Sequence, residues 1–344
     1  MMVAPSGKLT RKEKHMKKLY CTLALVLLWT ASAFAQDYDP NWLGTFSIIA
    51  RDPRTGEMGE GVQSKAFAPG NRAVTVKGGV GVIAHQASAN PMYGILGIQL
   101  LEKGMTPQQA LDFMLRSDAG KESRQVSILD NQGRGATFTG SGASDWKGGR
   151  CGPNYCVQAN IMVGPEIVDA LEKSFLASEN KGMPLSDRLM DALDAGQAAG
   201  GDARGVEGAM LVVARPTYAD PNVWNDRVVD LRVDDSKTPF AELRRLLNMT
   251  HSATLITQAN QKANGGDLPG GLKLAQDAVA KSPENDNAYV ALASIQLKSN
   301  QKAQALATLK KAVELNGANK RQLPKNTNFK DLLQDPEFKK IFGL

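Results

Sequence analysis

The residue best suited to covalent chemistry is Thr45, preceded by Gly44 and standing at the head of an apolar run, Phe46 to Ala50. A threonine whose own α-amine is free acts as a nucleophile, because that amine takes up the hydroxyl proton. The same residue also reads as an ordinary strand threonine, since a Gly-Thr pair carries little specificity. Lys77, at the end of a strand candidate, would lower the pKa of such an amine if the fold brought it close; as an exposed strand-end lysine it needs no such role. Cys151 and Cys156 stand in Cys-Gly-Pro-Asn-Tyr-Cys and read as a local disulfide, with Gly152 and Pro153 turning the chain tightly. Past the first 35 residues the competing metal site has only His85 and His251 to draw on, with no ligand spacing, so no metal and no cofactor are expected. Gly200-Gly201-Asp202-Ala203-Arg204-Gly205 lacks the Gly-Lys-Ser/Thr ending of a phosphate loop and follows a helical pattern instead of opening one. It reads either as a glycine-shaped loop presenting Asp202 and Arg204 or as a salt-bridged structural loop.

Which of these residues can meet depends on where the folded chain begins. Lys17 and Lys18 precede an apolar run from Leu19 to Trp29, and Ala33-Phe34-Ala35 fits a small-x-small cleavage site. Residues 1–35 therefore read as a secretory signal peptide, too short for a membrane span, with Met16 an alternative start. Cys21 lacks the small residues before it that lipidation needs. The mature chain is expected to begin near Gln36 and to be periplasmic or secreted. The leader holds six basic residues against Glu13 alone, so the formal net charge of +6 falls to about +1 after its removal. A charge this small implies no nucleic-acid partner. The remainder is uneven: residues 36–250 carry 22 basic and 26 acidic side chains, residues 251–344 carry 13 and 8. A boundary is expected there.

In the first part, Phe46 to Ala50 and Gly59 to Ser64 form a hairpin about the turn Asp52-Pro53-Arg54-Thr55-Gly56. Strands follow at Ala73 to Lys77 and Val80 to Gln86. Two helices come next, Tyr93 to Lys103 and one capped by Thr106 with Pro107 in its first turn. Strands return at Gln125 to Leu129, Gly135 to Thr139 and Val157 to Val163. Helices then run over Pro165 to Ser178 and Pro184 to Ala195, the latter with Leu185, Leu189 and Leu193 on one stripe. Strands Ala209 to Ala214 and Val228 to Val233 and a helix Pro239 to Asn248 close the domain. Grouped strands interrupted by helix pairs argue for α+β, with two stacked sheets and a helix pair on each outer face.

Six segments in this order carry a resemblance: TFSIIARDPRTGEMGEGVQS, GVGVIAHQASANPMYG, RQVSILDNQG, VQANIMVGPEIVDA, AGQAAGGDARG and DRVVDLRVDD. They resemble the family of unknown function 1028, grouped with the N-terminal-nucleophile hydrolases. The resemblance implies a four-layer αββα sandwich and puts Thr45 at the nucleophile position. It also marks Gln86, Asn90 and Asn160 as candidate binding or oxyanion donors, with Ser64, Asp202 and Arg204 as further candidate substrate-binding groups. Asn90 before Pro91 also fits a plain turn. Signal cleavage after Ala35 leaves Gln36 to Gly44 ahead of Thr45, so the nucleophile needs a second cut.

In the last part, Ala275, Ala278 and Pro283 recur as Leu309, Ala312 and Gly317 with a period of 34 residues. This resembles tetratricopeptide repeats over 252–285 and 286–319, the first helix degenerate and FKDLLQDPEFKKIF a broken cap. Two repeats are few for independent stability, so docking on the first domain is expected, and the basic charge suits an acidic protein or peptide. Two functions follow. One is an exported amidohydrolase acting on a small amide or peptide through Thr45; the other is a non-catalytic scaffold using the hydrolase-like fold as a platform.

Overall fold

The structure, a computed structural model, describes residues 44–142, 146–217 and 225–344. The expected signal peptide and the lead-in Asp37 to Trp42 lie outside the described residues.

Strands β1 (Thr45–Arg51) and β2 (Met58–Ser64) form the expected hairpin. Its turn is fixed by Asp52, whose Oδ1 accepts the Arg54 N–H at 2.9 Å, and by Gly56 at φ +75°. Then come β3 (Val74–Lys77), β4 (Gly81–Ala87), α1 (Met92–Glu102) and α2 (Pro107–Ser117). Helix α2 starts on a complete capping box: Thr106 Oγ1 accepts from Gln109 N–H, and the Gln109 side chain accepts from Thr106 N–H. Four more strands follow after it in two hairpins, β5 (Arg124–Asp130) with β6 (Gly135–Thr139) and β7 (Trp146–Gly152) with β8 (Tyr155–Met162). Helices α3 (Glu166–Ala177) and α4 (Leu185–Ala198) lead to β9 (Gly208–Ala214) and β10 (Arg227–Val233).

These strands make two antiparallel sheets, one in the order β10-β9-β2-β1-β8-β7 and one in the order β3-β4-β5-β6. Strand alternation sorts β1 into two faces. Phe46, Ile48 and Ala50 pack against Leu171 of α3 and Leu189 and Leu193 of α4, while Ile49 joins Met58, Val82, Leu129 and Val212 between the sheets. Helices α1 and α2 bury Ile98, Leu101, Leu111 and Met114 on Ile83 and Ile128 of the four-stranded sheet. Each such fully buried side chain is worth about 2 kcal/mol over its exposed state. The Cys151–Cys156 disulfide forms as expected, across the turn of the β7–β8 hairpin.

Helix α5 runs over Pro239–Asn264, far past the expected end at Asn248. No breaker stands between Asn248 and Gly265, so the helix that closes the sheet domain continues as the first helix of the repeats. Its Leu243 and Leu247 belong to the α3–α4 core, its Ala259 and Ala263 to the repeat core. Helices α6 (Leu268–Lys281), α7 (Asp286–Lys298) and α8 (Lys302–Leu315) complete the pairs, followed by the short α9 (Asn319–Gln322) and by α10 (Pro336–Phe342), capped by Asp335. Asp187 of α4 joins the two regions beside α5, meeting His251 at 2.7 Å and Lys281 at 3.9 Å, while Arg244 ties the first half of α5 to Asp191 and Asp194 of α4. Burial alone would raise the Asp187 pKa; His251, Lys281 and Arg244 outweigh it and hold it below its usual value. Among the described residues no helix is long and apolar enough to cross a membrane.

Candidate functional site

Thr45 and Ser64 are register partners at the open end of the β1–β2 hairpin, and both are buried. The Thr45 hydroxyl donates to Ser64 Oγ at 3.2 Å, and Ser64 Oγ donates in turn to the carbonyl oxygen of Gly44. Ser64 Oγ also accepts the Ala66 N–H at 3.1 Å. A hydroxyl has one proton and two lone pairs, so these three bonds fix its orientation. The Gly44 carbonyl accepts a second bond, from Arg204 Nη2 at 2.9 Å. Two donors, one of them cationic, therefore converge on the carbonyl of the peptide bond that precedes Thr45.

The glycine-rich loop after α4 positions that guanidinium. Asp202 Oδ1 accepts Arg204 N–H at 2.9 Å and Nε–H at 3.0 Å, and Oδ2 accepts Nη2–H at 2.7 Å. Oδ2 also accepts the Lys65 N–H at 3.2 Å, and Asp202 pairs by an isolated bridge with Met162 at the end of β8. The Asp202 side chain is 0% exposed, so this pair is held rigidly and not screened as a surface ion pair is. Gly200 and Gly201, at φ +126° and +65°, supply the backbone turn that a side chain would resist.

Beneath Thr45 lies a polar network between the sheets. Gln86 and Gln125 are register partners on β4 and β5, and Thr45 and Asn160 are partners on β1 and β8. Gln86 Nε2 donates to the Thr45 carbonyl at 3.0 Å and to Gln125 Oε1 at 2.7 Å. Asn160 Nδ2 donates to the same Gln125 Oε1 at 2.9 Å, and Ser47 Oγ to Gln86 Oε1 at 2.8 Å. Gln125 Nε2 reaches Thr139 Oγ1 and the Ala159 carbonyl. Asn160 Oδ1 is buried and has no partner among the described residues.

The fold thus gathers Thr45, Ser64, Gln86, Asn160, Asp202 and Arg204. It does not gather Lys77, and among the described residues no hydrogen bond joins Asn90 to this group. Lys77 is opposite Gly81, at the other end of β4 from Gln86, about 17 Å along the strand, where it pairs with Glu102. Asn90 turns its Oδ1 to the Met92 N–H at 3.1 Å and so opens α1. His85 follows strand alternation away from Gln86 to the α1 side; burial lowers its pKa to about 4 and keeps it neutral. Among the described residues no group of His, Cys, Asp or Glu could hold a metal ion. Sequence reasoning missed Gln125 and Ser47. Gln125 heading the apolar run Val126–Leu129 was the available sign, since a buried amide must be bonded.

Two antiparallel sheets with helices, a threonine at a strand head and a following helical region define an α+β protein with an appended repeat array. The chain belongs to the family of unknown function DUF1028, matched over residues 45–243. Residues 265–322 match the tetratricopeptide repeat, a module that suggests protein–protein interaction. Among solved structures the chain is similar to the crystal structure of protein SPO2555 from Silicibacter pomeroyi, of the same family. The identity is 28%, the TM-score 0.52, and the match covers 59% of this chain and 88% of that one. No curated protein matches.

Proposed function

We propose that this protein is an exported, self-processing amidohydrolase of the N-terminal-nucleophile type, with the DUF1028 region as a four-layer αββα sandwich. The observation that carries the reading is the Gly44 carbonyl, bonded by Ser64 Oγ and Arg204 Nη2 beside the Thr45 hydroxyl. Such donors stabilise the charge that develops when a carbonyl is attacked. Thr45 Oγ adds to the Gly44 carbon, the C–N bond breaks, and the proton passes to the Thr45 nitrogen, leaving an ester. Water then hydrolyses the ester to a Gly44 carboxylate and a free Thr45 α-amine. That amine becomes the base for Thr45 Oγ when an external amide takes Gly44's place. Helix pairs α1–α2 and α3–α4 on the two sheets support the sandwich, and the Cys151–Cys156 disulfide supports an oxidising compartment. The repeats serve to recruit a protein or peptide partner.

The test is intact mass and N-terminal sequence of the protein from the exported fraction. Wild type is expected to begin at Thr45, and Thr45→Ala to keep the peptide bond after Gly44 in every chain. A wild-type chain that keeps residues 36–44 ends the hydrolase reading and leaves the scaffold alternative.

A further inference from the structure

Gly44 is the acyl group of the bond that Thr45 would cut, so its surroundings describe the acyl side of the site. A β-carbon built on Gly44 would stand 2.5 Å from Arg204 Nη2, 2.9 Å from its Cζ and 2.9 Å from Asp202 Oδ2. Real β-carbons do not come that close, so a neighbour would have to move. Neither can move cheaply. Asp202 is fully buried and holds two backbone N–H groups, those of Lys65 and Arg204. Arg204 is clamped on Asp202 through Nε and Nη2, and Nη2 is the donor to the Gly44 carbonyl. Swinging the guanidinium aside would make room for a side chain and at the same stroke remove the cationic donor from the reacting oxygen.

We infer that the site is selective for glycyl amides, that is, for acyl groups whose α-carbon bears no side chain. The inference rests on the self-processing reading above and narrows it to a substrate class. In each turnover Thr45 Oγ bonds to the glycyl carbonyl carbon, the amine leaves with a proton from the Thr45 ammonium, and water releases the glycyl carboxylate. A substrate with a β-carbon reaches this geometry only without the Arg204 donor. Loss of one such donor costs about 10²–10³ in rate, and that is the discrimination expected between glycyl and alanyl.

Two measurements test it. The first follows self-cleavage of Gly44→Ala against wild type by intact mass, with melting temperature as a folding control. The second compares N-acetylglycyl and N-acetylalanyl coumarin amides on the processed wild-type chain. The inference expects Gly44→Ala to be cut at least about 100-fold more slowly and the glycyl amide to be preferred by a similar factor. Equal processing of Gly44→Ala in a processed wild-type background overturns the selectivity and leaves the self-processing reading intact. Hydrolysis of the alanyl amide at a comparable rate, or of neither amide, overturns it as well, whatever the variant's folding. An uncut wild type overturns both.

Discussion

Glu60 carries a carboxyl into the space between the sheets, where neither oxygen has a hydrogen-bond partner among the described residues. Its register partners are Ile49 and Val212, both apolar and buried. Burial favours the neutral acid, so its pKa in the folded chain stands well above the ordinary 4.5. Between those two values the folded chain holds a proton that the unfolded chain has lost. Stability is then full below the unfolded pKa and falls as pH rises toward the folded one, by at most about 1.4 kcal/mol per pH unit. Glu60→Gln removes that slope. Melting temperatures followed from pH 4 to pH 8 are expected to diverge as pH rises, wild type losing stability that the variant keeps; parallel pH profiles would refute the buried neutral acid. Such residues show how far sequence reaches at this scale. Thr45 was legible as a hydroxyl after Gly44 at a strand head, Asp202 and Arg204 as a charged pair in a glycine-rich loop, and Ser64 only through the family resemblance. Lys77 was a candidate only if the fold brought it close, and the register of β3 on β4 sends it to the far end. Glu60 looked like a polar strand position, because nothing in Gly-Glu-Gly tells which face is buried.

At the scale of elements, two strand pairs stacked face to face build the floor under Thr45. The β1–β8 pair contributes Thr45 and Asn160, the β4–β5 pair Gln86 and Gln125. Gln125 is the hub, accepting from two amides and donating across to the Ala159 carbonyl. Gln125→Leu fills about the same space but leaves one N–H of Gln86 Nε2 and one of Asn160 Nδ2 without the acceptor they share. Each buried unsatisfied group costs about 1–3 kcal/mol, so a loss of about 2–4 kcal/mol is expected in denaturant unfolding. A change below about 0.5 kcal/mol would mean that water or a neighbour replaces the hub. On the self-processing reading, cleavage before Thr45 would also slow, because Gln86 holds the Thr45 carbonyl. Most elements were legible from apolar runs and caps, to within two residues at many ends. Strand β7 was not. Its Trp-Lys-Gly-Gly-Arg-Cys-Gly has little strand propensity, and glycine is needed at Gly149 because a β-carbon there would meet Gln158 Cβ and the Val157 carbonyl, each at 2.9 Å. Pairing with β8 and the disulfide override local preference.

Over the whole molecule, the acidic first part and the basic last part meet where their charges differ. Asp187 on α4 is answered by His251 of α5 and Lys281 of α6 from the basic part, while Asp191 and Asp194 on the same helix pair with Arg244 inside the first part. These partly exposed pairs contribute little singly. The stronger link is α5 itself, whose first half is core to the sheets and whose second half is core to the repeats. A helix continuous over 26 residues passes cooperativity from one core to the other, because its hydrogen bonds cannot break in the middle without loss on both sides. Ala253 is exposed near the midpoint, so replacing it disturbs the backbone and little packing. Ala253→Pro removes one backbone bond and clashes with the preceding turn, at about 3 kcal/mol. Wild type is expected to unfold in one calorimetric transition and Ala253→Pro in two, the repeats melting first because two repeats bury too little to stand alone. A single transition in the variant, merely shifted down, would show that the ion pairs and docking carry the coupling without the helix. Two transitions in wild type would show that the sheet domain and the repeats fold independently, with α5 only a tether.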